Sequence, residues 1–215
     1  MEVMETTKNT RTVNVTLLTQ VGLLTAIIIL MAYTPLGYLK TAGVEITFIV
    51  VPVAVGAVLL GVKAGAFLGL VFGLTSFAQC FGMSPLGTMM FNAKPFQTMF
   101  CCIVPRVLVG IMPALVYQGM TKVCKKRVIN TAVACVVAPV TNTVLYLGCM
   151  VLMFEDFMIQ AYKEVNLYTG ESGFAFVGWL VAFVAVNAIL EALSCLLIGS
   201  AICNALWSVV KRHKK

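Results

Sequence analysis

The sequence predicts an all-α membrane protein, a bundle of six transmembrane helices with both termini in the cytoplasm, and three observations lead there. Of the 215 residues, 60% are hydrophobic and 11% charged, with a mean hydropathy of +0.99, which lies outside the range of soluble domains. Apolar stretches at 13–33, 44–61, 63–82, 97–120, 129–154 and 174–209 reach or approach the roughly 20 residues that a spanning helix needs. Lys8, Arg11, Lys63, Lys122, Lys125, Lys126, Arg127, Lys211, Arg212, Lys214 and Lys215 fall on one side of such a bundle, against Lys40, Lys94 and Lys163 on the other. The basic side is the cytoplasmic one. The chain therefore reads as a single integral membrane domain over 1–215, with 1–12 a polar cytoplasmic N-terminus and 211–215 a basic cytoplasmic tail.

The same composition excludes several functions. The formal charge of +7 is gathered between apolar runs and at the end of the chain, without the interleaved aromatics of a nucleic-acid-binding face, so no nucleic acid is expected as a partner. Seven of the eight cysteines lie in apolar runs, none forms a CxxC motif, and the lone histidine, His213, sits in the tail. They read as small packing residues, with no metal ligand set among them. An enzyme would need a nucleophile with its base, or a metal set, and neither can be read here. Neither GxxxxGK[ST] nor GxGxxG occurs, so the chain has no phosphate cradle with which to hydrolyse ATP itself.

Span 1 carries Gly22 and Ala26 four residues apart, a small-xxx-small step that lets another helix approach, either within the bundle or on a partner. It is long enough to span and lacks a cleavage site, so it reads as a true first helix. Tyr33 and Tyr38 flank Pro35 where an outer interface is expected. Span 2 contains Pro52, which predicts a kink. Lys63 allows only a tight turn into span 3, where Gly65, Gly69 and Gly73 form a glycine ridge, so spans 2 and 3 are expected to make a close antiparallel hairpin. The connection over 82–96 is long for so apolar a chain and reads either as a lid over the outer mouth or as an ordered interfacial loop.

Span 4 holds Arg106 deep inside an apolar run. An arginine at a helix centre costs on the order of 3 kcal/mol on insertion scales, so it must face protein, water or a ligand. The basic turn 122–127 follows, suited to anionic lipid heads or an acidic partner. Span 5 places Asn142 and Tyr146 one turn apart, and span 6 repeats the step with Asn187 and Glu191. With those spans centred near 108, 142 and 191, Arg106, Asn142 and Glu191 share one depth. Two readings follow. Either Arg106 and Glu191 form an ion pair that fixes helix packing, or the polar groups floor a small-molecule pocket with Tyr146 and Asn187 above them and Trp179, Phe91 and Phe96 at the rim. In the second reading Asn92 and Lys94 of the third outer connection stand at the mouth, and Lys94 or Lys40 joins Arg106 in meeting an anionic ligand.

The turn Gly61-Val62-Lys63-Ala64-Gly65 within 52–73, Pro105-Arg106, Thr141-Asn142-Thr143, and Asn187 with Glu191 together resemble the S components of energy-coupling factor (ECF) vitamin transporters, over nearly all of the chain from span 1 onward. From Val44-Glu45-Ile46-Thr47 to Gly73-Leu74-Thr75-Ser76 the sequence is most similar to members assigned to pantothenate, with the riboflavin type next. The resemblance implies a high-affinity binding subunit of an ABC importer in a bacterial-type plasma membrane. It works with a membrane coupling (T) subunit and two subunits that hydrolyse ATP, and needs no cofactor of its own. It also implies that Gly22 and Ala26 face the coupling subunit, where family members usually have Ala-xxx-Ala, and that the ligand lies in the outer half beneath the first and third outer loops. The competing function is a self-sufficient proton- or cation-coupled transporter with Glu191 as its relay; the lack of a large internal repeat weighs against it.

Overall fold

A computed structural model describes residues 15–34, 37–41, 44–154, 185 and 187–212. The helices are α1 (Val15–Ala32), α2 (Val50–Leu60), α3 (Val62–Gln79), α4 (Pro85–Ala93), α5 (Pro95–Val123), α6 (Arg127–Met153) and α7 (residues 187–212, with a π-helical turn at Cys195–Gly199). Among the described residues, five stretches are long and apolar enough to cross a membrane: α1, α3, α5, α6 and Asn187–Trp207 within α7. The protein is a helical membrane protein. The acidic residues Glu155, Asp156, Glu164 and Glu171 lie outside the described residues.

The second span departs most from expectation. Residues 44–47 are strand β2, paired antiparallel with β1 (Tyr38–Thr41) in the register Tyr38↔Thr47 and Thr41↔Val44. Glu45 thus belongs to a hairpin, not to a helix end, and the bundle is not purely α. The helix begins only at Val50, which puts Pro52 in its first turn, where a missing N–H costs nothing, so the kink expected there has no cause. At 11 residues α2 is about 16 Å long, too short to cross alone. All ten residues from Val50 to Leu59 are buried, as befits a helix apolar on every side.

Around α2 the core gathers Ile28 of α1, Leu68 and Phe72 of α3, Val109 of α5, Ala134, Cys135 and Ala138 of α6 and Cys195 of α7. The turn into α3 is made at Gly61, whose φ of 94° is a left-handed conformation open to glycine, and Gly61 N–H donates to Ala57 O. The expected α2–α3 hairpin is present. The glycine ridge, however, faces α5 more closely than α2: a Cβ at Gly65 would lie 2.1 Å from Gly110 O, and one at Gly69 would lie 2.4 Å from Arg106 O. Backbone meets backbone along that seam.

The stretch after α3 is not an open loop. Ser84 caps a short helix by accepting from Gly87 N–H at 3.3 Å, and Pro85 occupies the first helical position, where its fixed φ suits the start of a helix. At the opposite end of the bundle Asn130 Nδ2 donates to Cys124 O at 2.8 Å and closes the α5–α6 turn. There Arg127 lies over the Trp207 ring, 5.5 Å from its centroid.

Candidate functional site

Arg106 is positioned by its own neighbour. Pro105 has no N–H to offer the carbonyl four residues back, which leaves Cys101 O free within α5. The Arg106 guanidinium uses it: Nη1 donates to Cys101 O at 3.1 Å and to Cys102 O at 3.3 Å. Bent back in this way, its Cζ lies 5.3 Å from the centre of the Phe72 ring and 5.0 Å from that of Tyr146, within cation–π range of both. Only 8% of Arg106 is exposed. The close α3–α5 seam at Gly69 brings Phe72, one turn further along α3, up to the guanidinium.

Glu191 is 2% exposed and held from two sides. Its Oε1 accepts from the backbone N–H of Thr47, the last residue of β2, at 3.0 Å, and its Oε2 accepts from Asn142 Nδ2 at 3.5 Å. Asn142 and Tyr146 occupy one face of α6, as their spacing predicts, and Tyr146 Oη reaches Met90 Sδ of α4 at 3.9 Å. One helical turn of α6 therefore touches Glu191 through Asn142 and Arg106 through Tyr146, so the three charged and amide groups lie at neighbouring depths. The hydrogen bonds described for Arg106 and for Glu191 run to different groups. Asn187 is half-buried one turn before Glu191 on α7.

Among the described residues, Asn142 Oδ1 is buried and has no hydrogen-bond partner. An acceptor in that state costs about 1–3 kcal/mol unless a donor arrives. It lies one turn of α6 from the Tyr146 ring that frames Arg106, an arrangement that sets an acceptor near a cation.

The outer residues are arranged differently from the expected rim. Phe91 packs edge-on against Phe77 and tilted against Phe81, while Phe96 is 82% exposed at the start of α5. Asn92 is exposed on α4. Lys94 Nζ donates to Met153 O at 3.2 Å and ties the α4–α5 joint to the end of α6. Trp179 lies outside the described residues. Beneath α4, Met90, Cys101, Met150 and Phe154 form a second, smaller apolar cluster with Tyr146 against it. Phe72, Thr47 and Met90 join the site without having been read from the sequence. Pro105 beside Arg106 was the available signal for the guanidinium's bent path.

On α1, Gly22 has nothing within 4 Å of where a Cβ would stand, and Ala26 is exposed. The helix packs through Ile28 and Ala32, with Leu24 partly buried beside them. Among the described residues, none covers the small-residue step.

Residues 16–202 match the model of the family described as "ECF transporter, substrate-specific component". A protein of Leuconostoc mesenteroides named "Pantothenate transporter PanT" is 29% identical over 193 residues, 88% of each chain. A protein of Lactococcus lactis subsp. cremoris named "Pantothenic acid transporter PanT" is 30% identical over 174 residues, 76% of this chain and 78% of its own.

Proposed function

The chain belongs to the substrate-specific components of ECF transporters, and from that premise we propose that it is the high-affinity pantothenate-binding subunit of an ECF-type importer. The observation that carries the choice of substrate is the buried Arg106 guanidinium, turned by the Cys101 and Cys102 carbonyls and framed by Phe72 and Tyr146. Pantothenate presents a carboxylate to such a group, and riboflavin has none. The names carried by the two relatives point the same way. In this reading Arg106 meets the carboxylate, Tyr146 and Asn142 line the adjoining wall, Glu191 and Asn187 lie behind them, and Asn92, Lys94 and Trp179 belong to the mouth.

The chain is read as one membrane domain of six crossings, in which the β-hairpin and α2 together make the second, with both ends in the cytoplasm of a bacterial-type cell. The distribution of Lys and Arg supports that orientation. Energy comes from two ATPase subunits through a membrane coupling subunit, since no nucleotide motif occurs in this sequence. Gly22 and Ala26, exposed on α1, are the contact offered to the coupling subunit.

The test is labelled vitamin added to liposomes that hold this chain alone. Pantothenate is expected to bind to saturation at one per chain, with no accumulation when a pH or sodium gradient is imposed, while riboflavin does not bind. Arg106→Met is expected to lose about 1.5–3 kcal/mol of affinity, the worth of a charge-assisted hydrogen bond, and Arg106→Lys less. Gradient-driven accumulation, or unchanged affinity in Arg106→Met, refutes the assignment.

A further inference from the structure

We infer that Glu191 is not a ligand contact but a positioning residue, which fixes the amide of Asn142 so that the site reads a hydrogen-bond donor on its substrate. The inference rests on the functional reading above and deepens it by naming what sets specificity beside the cation.

A carboxylate oxygen that already serves as an acceptor can be approached only by a donor. Asn142 must therefore turn its NH2 toward Glu191 Oε2, and does so at 3.5 Å. The amide is planar, so Oδ1 is thereby aimed away from Glu191. Among the described residues, that oxygen is buried and meets no hydrogen-bond donor. Glu191 itself has little freedom to turn, because Oε1 is held by the Thr47 N–H at 3.0 Å and the residue is 2% exposed. The chain of constraint runs from the hairpin's last residue through Glu191 to Asn142, and its free end is an acceptor. A substrate suits it when it carries an O–H or N–H about one helical turn, roughly 5 Å, from the group that Arg106 meets. Pantothenate has three donors to test: an amide N–H two CH2 groups from the carboxylate, and two hydroxyls further along the chain that reach it when the molecule folds.

The inference makes an asymmetric forecast. In Glu191→Gln the new side chain keeps its oxygen on Thr47 N–H and turns its NH2 to Asn142. Asn142 then offers its oxygen to Gln and its NH2 to the substrate, so the site's preference changes from donor toward acceptor. A hydroxyl satisfies either arrangement; an acceptor-only group satisfies only the second.

The experiment measures binding of pantothenate and of three analogues, each with one donor converted to an acceptor-only group: a carbonyl for the secondary alcohol, a methyl ether for the primary one, and an ester oxygen for the amide N–H. The proteins are the wild type, Asn142→Leu and Glu191→Gln, each with its melting temperature recorded. One analogue is expected to bind the wild type about 10- to 100-fold more weakly than pantothenate, because it faces Oδ1 with a second acceptor. That penalty is expected to shrink to within about threefold in Asn142→Leu and in Glu191→Gln. If Asn142→Leu does not fold, the isosteric Glu191→Gln carries the test. A wild type that binds pantothenate and all three analogues equally overturns the inference, as does a penalty that survives unchanged in Glu191→Gln. A wild type that does not bind pantothenate overturns the functional reading, and this inference with it.

Discussion

Gly69→Ala isolates the contact on which the position of Arg106 depends. The added Cβ would stand 2.4 Å from Arg106 O, 3.0 Å from Val107 Cα and 3.2 Å from Arg106 C, where ordinary contact begins near 3.4 Å. Nothing flexible lies in the way, since all three atoms are backbone. One helix must retreat by about 1 Å, and overpacking of this kind costs about 1–3 kcal/mol even when side chains can yield. The intrinsic preference of helices for alanine over glycine offsets about 1 kcal/mol of that. Gly119→Ala is the control: it lies within α5, nothing approaches within 4 Å, and the same preference acts there unopposed. Melting in detergent should therefore rank Gly119→Ala at or above wild type and Gly69→Ala clearly below. If α5 is the helix that moves, the guanidinium moves with it. A hydrogen bond stretched by about 1 Å is no longer one, so pantothenate affinity should fall about 10- to 100-fold. A Gly69→Ala protein that melts like the control refutes the backbone seam, and one that melts low yet binds normally shows that α3 gave way instead.

Two further outcomes are expected. Gly22→Trp or Ala26→Trp should abolish uptake by the assembled transporter while leaving binding by the isolated chain unchanged, because none of the described residues covers either position; parallel loss of binding would mean that this face packs internally. Lys94→Met removes the donor on Met153 O but, being exposed, should cost under about 1 kcal/mol and be seen as faster amide exchange at the end of α6. Unchanged exchange there would show that Lys94 holds nothing.

Apolar length located every long helix among the described residues, because the bilayer sets that length and an apolar run of 20 residues has few other uses. It failed at residues 44–61, where Val44-Glu45-Ile46-Thr47 is as apolar as a helix start yet alternates with a period of two and precedes a proline that begins a helix better than it continues one. Ser84-Pro85 was a legible helix start after α3, hidden by reading the connection for polarity instead of for caps. The glycine ridge was visible as a ridge. Its partner was not, since spacing along one helix says which face is small and nothing about which neighbour uses it.

Arg106 was legible because a charge inside an apolar run must be answered, and counting charges then made Glu191 the obvious candidate. The count sees only side-chain charges, while the hydrogen bonds described for both groups come from dipoles. The carboxylate of Glu191 takes a backbone N–H from Thr47 and an amide N–H from Asn142, and the guanidinium of Arg106 takes the carbonyl that Pro105 freed and two ring faces. A hydrogen bond to a charged group contributes about 1.5–3 kcal/mol, so such dipoles weigh heavily beside any ion pair in a buried site. Those dipoles bear on function. With Glu191 held by Thr47 and Asn142, the site combines a buried guanidinium framed by two rings with, one turn away, an acceptor whose direction the carboxylate has already chosen.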